Sequence, residues 1–124
     1  MEELQQANFI KELTAPILEK GFTFEYFYEK GGDSSCAYIC RYKKGKDFFD
    51  WREVSGGTEI NFVVFVNGEY YFPTLKKYFP KETQAFALKH LFKKPTLDEK
   101  RIFAAKLLNQ ELQSGKPDFF GIKL

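Results

Sequence analysis

Cysteine, histidine and tryptophan are almost missing from this 124-residue chain: there are two Cys, one His and one Trp. A single histidine, His90, excludes any metal site built on two histidines, and the two thiols lack the spacing and companion ligands of a zinc site. Cys36 and Cys40 sit four apart in a strand-like stretch. At about 3.3 Å per residue their Cα atoms would be roughly 13 Å apart, too far for a disulfide, which needs about 7 Å or less. Phosphate-cradling glycine motifs are missing as well, and Gly31-Gly32 and Gly56-Gly57 read as hairpin turns. No leader and no apolar run of about 18 residues is present, so the expectation is a cytoplasmic protein without a membrane span.

Charge of one sign is also scarce. The net charge is only +2, which argues against a protein whose main task is to neutralise a phosphate backbone. The distribution is uneven: residues 1–68 hold 8 Lys/Arg against 11 Asp/Glu, and residues 69–124 hold 11 against 6. The basic excess follows the helical part, from Lys76 to Lys106.

What is abundant is aromatic side chain. Fifteen Phe and seven Tyr contribute to an aromatic fraction of 19%, within a hydrophobic fraction of 44%. Such a chain can bury a real core, and at this length one domain over residues 1–124 is expected.

The stretch Thr58 to Pro73, TEINFVVFVNGEYYFP, organises the fold. Asn67-Gly68 supplies the two positive-φ residues of a type I′ turn, so Ile60–Val66 and Glu69–Phe72 form an antiparallel hairpin. The two-residue turn sets Val66 opposite Glu69, Phe65 opposite Tyr70, Val64 opposite Tyr71 and Val63 opposite Phe72. One face then carries Ile60, Phe62, Val64, Val66 and Tyr71, the other Val63, Phe65, Tyr70 and Phe72. Three earlier strands precede it, near Phe22–Glu29, Ser35–Lys43 and Asp47–Val54, separated by Gly-rich turns about a dozen residues apart. No gap has room for a crossover helix, so the topology is a five-stranded antiparallel meander. Its hairpin strand Glu69–Phe72 falls at the edge, leaving open what covers Tyr70 and Phe72.

Helices are expected over residues 2–20, with a kink or early end at Pro16, and over residues 81–92 and 97–114. In the middle one, Ala85, Ala87, Leu88, Leu91 and Phe92 form the expected buried arc, opposite Glu82, Lys89, His90 and Lys93. The last opens on a capping box, Thr96 to Glu99, and buries Leu97, Ala104, Ala105, Leu108 and Leu112. Arg101 falls in that stripe by angle; its stem is expected on the core with its head in water or on Asp98. The apolar tail Pro117–Leu124 is expected to dock, with an edge strand as one form. The fold class is therefore two-layer α+β, with the helices mainly on one face of the sheet. A sheet curled around an aromatic-lined cavity is the competing design.

The helix ending Ala15-Pro16-Ile17-Leu18-Glu19-Lys20-Gly21-Phe22, followed by an aromatic antiparallel sheet, resembles small bacterial α+β domains, some of them immunity proteins. That resemblance implies a non-enzymatic protein that binds another protein, and it transfers no site residue.

No catalytic spacing and no cofactor motif is visible. The leading expectation is a non-catalytic protein-binding module using an exposed patch of Tyr38, Tyr42, Trp51 and Arg52, since Trp and Tyr dominate such sites. Its partner is a protein yet to be identified, or a second copy meeting it through a sheet edge or face. The alternative is an anionic small ligand or single-stranded nucleic acid held by Lys89, Lys93, Lys94 and Arg101 or stacked on the aromatic sheet. Asp50, Glu53 and Glu59 are the carboxylates an enzyme would use, and cross-strand pairing to Arg41 and Arg52 is their structural role.

Overall fold

The computed structural model describes residues 2–30, 37–54 and 59–124. Cys36, the Gly31-Gly32 turn and the Ser55-Gly56-Gly57 turn lie outside the described residues. Five strands, β1 (Thr23–Glu29), β2 (Ala37–Lys44), β3 (Asp47–Val54), β4 (Glu59–Val66) and β5 (Glu69–Tyr71), form one antiparallel sheet in sequence order. The expected meander is present. Asn67 and Gly68 adopt φ of 55° and 79°, and the type I′ turn sets Val66 opposite Glu69, Phe65 opposite Tyr70 and Val64 opposite Tyr71.

The fourth pair of that hairpin, Val63 with Phe72, does not form, because β5 ends at Tyr71. The register explains why. In a two-residue hairpin the residues flanking the turn exchange hydrogen bonds, and exchanging pairs recur every second residue along the ladder: Val66 with Glu69, then Val64 with Tyr71. The next would set Phe62 against Pro73, which has no N–H to donate.

One face of the sheet carries the core. Phe22, Cys40, Tyr42, Phe49, Trp51, Phe62 and Val64 are buried there against Ile10, Ile17, Ala104, Ala105, Leu108 and Leu112. These come from α1 (Glu2–Leu13), α2 (Ala15–Glu19) and α5 (Leu97–Leu112). α1 and α2 are the expected N-terminal helix, divided at Thr14. Thr14 is fully buried there, and its hydroxyl donates to the Ile10 carbonyl at 2.7 Å. With that hydrogen spent, the 2.6 Å contact to the Tyr42 hydroxyl has Tyr42 as donor. The break thus ties the helix to the middle of β2.

The tail docks, but not on the sheet edge. Residues Asp118–Phe119 (β6) and Ile122–Lys123 (β7) form a separate two-stranded hairpin. Phe119, Phe120 and Ile122 are buried, and Phe119 meets Phe22 and Phe49 with ring centroids 6.0 and 5.1 Å apart. Phe120 occupies the left-handed region at φ 51°, a conformation unfavourable for a bulky residue. Its ring packs on Phe49 and Tyr78, and its carbonyl accepts a hydrogen bond from the Tyr71 hydroxyl.

Two short helices, α3 (Leu75–Tyr78) and α4 (Pro80–Lys89), cross outside this core. The expected inward arc of α4 is reversed. Ala85 and Ala87 are exposed, and Leu88, Leu91 and Phe92 are 62%, 66% and 99% exposed. Phe86, about 200° around the helix from Leu88, faces inward instead and stacks on Phe103 at 4.1 Å. His90, expected in solvent, follows it, with its side chain only 10% exposed and Nε2 3.2 Å from Glu99. Leu91 and Phe92 lie beyond the helix end at Lys89.

α5 begins on the expected capping box: Thr96 Oγ1 accepts from the Glu99 N–H at 3.1 Å and Glu99 Oε1 accepts from the Thr96 N–H at 2.9 Å. The Thr96 amide, aided by His90, holds the Glu99 carboxyl down at about 2 from an ordinary 4.5. A depressed folded-state pKa adds stability that is complete above the unfolded value and is lost as pH falls through the folded one. Glu99→Gln should therefore differ most from wild type above about pH 4.5, and the gap should close as pH falls towards about 2. Urea melts of the two proteins across that range check it.

Candidate functional site

The expected binding patch is divided by the pleat. Tyr42 and Trp51 point into the core and are fully buried, Tyr38 is half-buried beside Tyr26 and Tyr28 on the same face, and Arg52 emerges on the opposite face. Trp51 is not an exposed anchor. Its indole N–H donates to Glu53 Oε2 at 3.1 Å, and Arg101 grips the same carboxylate through Nε at 2.8 Å and a terminal nitrogen at 2.6 Å. The other terminal nitrogen of Arg101 bonds Asp98 at 3.0 Å. Arg101 is 4% exposed and Glu53 3% exposed. The expected contact with Asp98 is present, but the head is buried rather than in water. Every guanidinium nitrogen is engaged, so Arg101 is a bridge between β3 and α5 rather than a free anion ligand. A cavity of about 380 Å³ opens beside it, lined by Gln5, Gln6, Phe9, Asp98 and Arg101.

The three candidate carboxylates are not brought together. Glu53 lies on the core face, whereas Asp50 and Glu59 belong to the opposite one, and Glu59 is exposed. Asp50, 1% exposed, takes a bidentate pair from Arg41 at 2.8 and 2.9 Å, the cross-strand role expected of it. That carboxylate raises the Arg41 pKa further. Arg52 instead approaches Glu29, at 3.7 Å. Burial pushes the Cys40 thiol well above its ordinary range, which leaves no thiolate for nucleophilic chemistry near neutrality. Among the described residues no cluster of three or more His, Cys, Asp or Glu could hold a metal ion.

The second face of the sheet is open to solvent around β4 and β5, whereas Ala37 and Ile39 on its β2 side are fully buried. Phe48, Phe65 and Tyr70 cluster there, with centroids 5.2, 4.8 and 6.2 Å apart pairwise, and the Arg41 guanidinium lies 3.8 Å over the Phe48 ring. Tyr70 and Phe72 are 62% and 69% exposed. The docked tail covers Tyr71, on the other side of β5, and leaves these two open. Between them and the far strands runs a groove of about 660 Å³. Arg41, Asp50, Arg52 and Glu29 supply its charged groups, Asn61 and Val63 line it from β4, and Phe72–Leu75 line it where the chain leaves the sheet. That volume falls in the range of small-ligand sites. The two arginines are matched by two carboxylates, so the groove has mixed polarity and no net formal charge.

Lys89, Lys93 and Lys94 are exposed on a separate surface, beside the outward Leu88, Leu91 and Phe92. Residues 75–106 hold nine Lys/Arg against three Asp/Glu.

The groove was not visible as a site in the chain's chemistry, because its residues come from five separate strands and no two of the charged ones form a motif. Pro73 was the available signal: counted from the Asn-Gly turn, it falls opposite Phe62 and ends the ladder there. No family model matches this sequence, and comparison with curated proteins and with solved structures gave no match.

Three variants test this geometry. Trp51→Ala should act as a core deletion, lowering unfolding free energy by about 3–5 kcal/mol, measurable in denaturant melts. Arg101→Ala should cost about 3–5 kcal/mol because it strands the Glu53 carboxylate in the core. The double variant Glu53→Leu/Arg101→Met should melt later than Arg101→Ala alone.

Proposed function

We propose that this chain is a non-catalytic protein-binding module that receives its partner on the open face of its sheet, across the groove bounded by Arg52, Asn61, Tyr70 and Phe72. The observation that supports this reading is the contrast between the two faces. One is packed by three helices and the terminal hairpin, while the other exposes Tyr70 and Phe72 beside a groove of about 660 Å³. Exposed large aromatics beside a concave, mixed-polarity surface match the anatomy of protein interfaces, where Tyr, Phe and Arg are enriched. The reading agrees with the resemblance of the N-terminal third to small bacterial domains that include immunity proteins. It transfers the partner-binding role from Trp51 and Tyr42 to residues that solvent reaches.

A cytoplasmic setting goes with this proposal. Cys40 is a buried free thiol, and among the described residues no helix is long and apolar enough to cross a membrane.

A second reading has one observation in its favour: the basic surface around Lys89, Lys93 and Lys94, with Leu88, Leu91 and Phe92 exposed beside it. On that reading the ligand is anionic, and binding weakens steeply with salt.

The two are separated by affinity capture from native lysate with wild-type bait, Phe72→Ser bait and a Lys89→Glu/Lys93→Glu/Lys94→Glu bait. A stoichiometric partner should be retained by wild type and by the lysine variant at both low and moderate salt, and lost from Phe72→Ser. Retention by Phe72→Ser with loss from the lysine variant would favour the anionic ligand instead.

A further inference from the structure

The groove adjoins a length of β4 with no strand paired to its outer side among the described residues. β5 covers only Val64–Val66, while β4 reaches back to Glu59. In the β3–β4 ladder, the backbone groups turned towards β3 belong to Phe65, Val63 and Asn61, because their partners Phe48, Asp50 and Arg52 are the β3 residues turned away from β2. The alternate residues Phe62 and Ile60 therefore turn their N–H and C=O outward, past the end of β5. Among the described residues none pairs with them. Phe62 would have met Pro73, which cannot donate. Four hydrogen-bonding groups are thus presented at the two-residue repeat of a strand, beside a groove lined by Ile60, Asn61, Phe62, Val63, Phe72 and Pro73.

We propose that this recessed edge captures an extended segment of a partner protein, which adds to the sheet along Ile60–Val63 and lays alternate side chains over the groove. This rests on the protein-binding role proposed above and names the partner's form. The chemistry of the edge selects an extended backbone, since only a strand repeats donor and acceptor at the spacing of Ile60 and Phe62. The wall selects a lone chain. Phe72–Leu75 line the same groove as Ile60–Val63, so a second copy of this sheet would bring its own Phe72–Leu75 segment against this one. The added strand is short, about 13 Å for four residues. Specificity comes from the side chains: those on the open face meet Arg52, which among the described residues is held by the exposed Glu29 at 3.7 Å, and the exposed rings of Tyr70 and Phe72. Arg41 is already held by Asp50 and Phe48 and forms the fixed floor.

The test uses a phage-displayed library of linear random decapeptides, selected on the full chain. Ile60→Pro removes one outward N–H and leaves the bonds to β3 untouched, as proline does on an edge strand. Enriched peptides should bind the wild-type monomer one to one and lose roughly tenfold in affinity on Ile60→Pro. Wild-type amide exchange followed by NMR is a readout that does not depend on the variant's folding. In the free protein the Ile60 and Phe62 amides should exchange faster than those of Asn61 and Val63, and bound peptide should slow them. Three results would overturn the proposal: no linear peptide is enriched, peptides bind without protecting those two amides, or the purified chain is already a dimer with both amides protected. If peptides fail while the Phe72-dependent partner is still captured from lysate, the protein-binding role stands and the strand-addition mechanism falls.

Discussion

The bidentate contact between Arg101 and Glu53 is the constraint on which the arrangement of layers depends. It joins the longest helix to the centre strand of the sheet, inside a core made mostly of rings and aliphatic chains. A carboxylate buried to 3% exposure is tolerable only if its oxygens are met, and here Trp51 and Arg101 meet them. Because two nitrogens of a rigid fork must face two oxygens, the helix can neither slide by a turn nor rotate without leaving a charge unmatched. Hydrophobic contacts alone tolerate such slippage far better.

With α5 held over one face, the helices and the terminal hairpin complete that layer and the opposite face is left to charge pairs and rings. Its polar groups are arranged differently from those of the core. Asp50 is also nearly inaccessible, but its partner Arg41 is partly open and lies on the Phe48 ring, giving a groove floor that is charged yet internally balanced. Such a floor orients polar side chains without attracting a polyanion. At the rim the chain departs at Pro73, and the same missing N–H that ends β5 leaves the adjoining length of β4 open.

The helix α4 shows where periodicity fails. Its sequence contains two apolar directions, one through Leu88 and one through Phe86, and the wider arc is the one left outside. Phe86 wins because it finds Phe103 one stack away, while His90 on the same side reaches the carboxylate that caps α5. Counting apolar residues around a helix cannot anticipate a partner contributed by another helix. The reversal leaves Leu88, Leu91 and Phe92 among the lysines of the basic region.

The sequence by itself determined the elements and their order. Asn67-Gly68 dictated a turn and, through its two-residue length, the whole register of β4 and β5; the alternation in β1 and β2 assigned each side chain to a face; Thr96 and Glu99 marked the start of α5. These are local signals, set by backbone dihedrals and a repeat of two, and they need no knowledge of the rest of the chain. Tertiary structure decided which face is covered, and so whether Trp51 is an anchor or a core residue. It also decided that Arg101 meets Glu53, that α4 turns Phe86 inward, and that the tail closes on itself through Phe120 and Gly121 rather than pairing with β5. Each of these depends on residues far apart in sequence competing for the same buried space, a competition that no local pattern records. The groove belongs to the second group, since its lining is assembled from five strands and the segment beyond them, but its boundary at Pro73 was already present in the first.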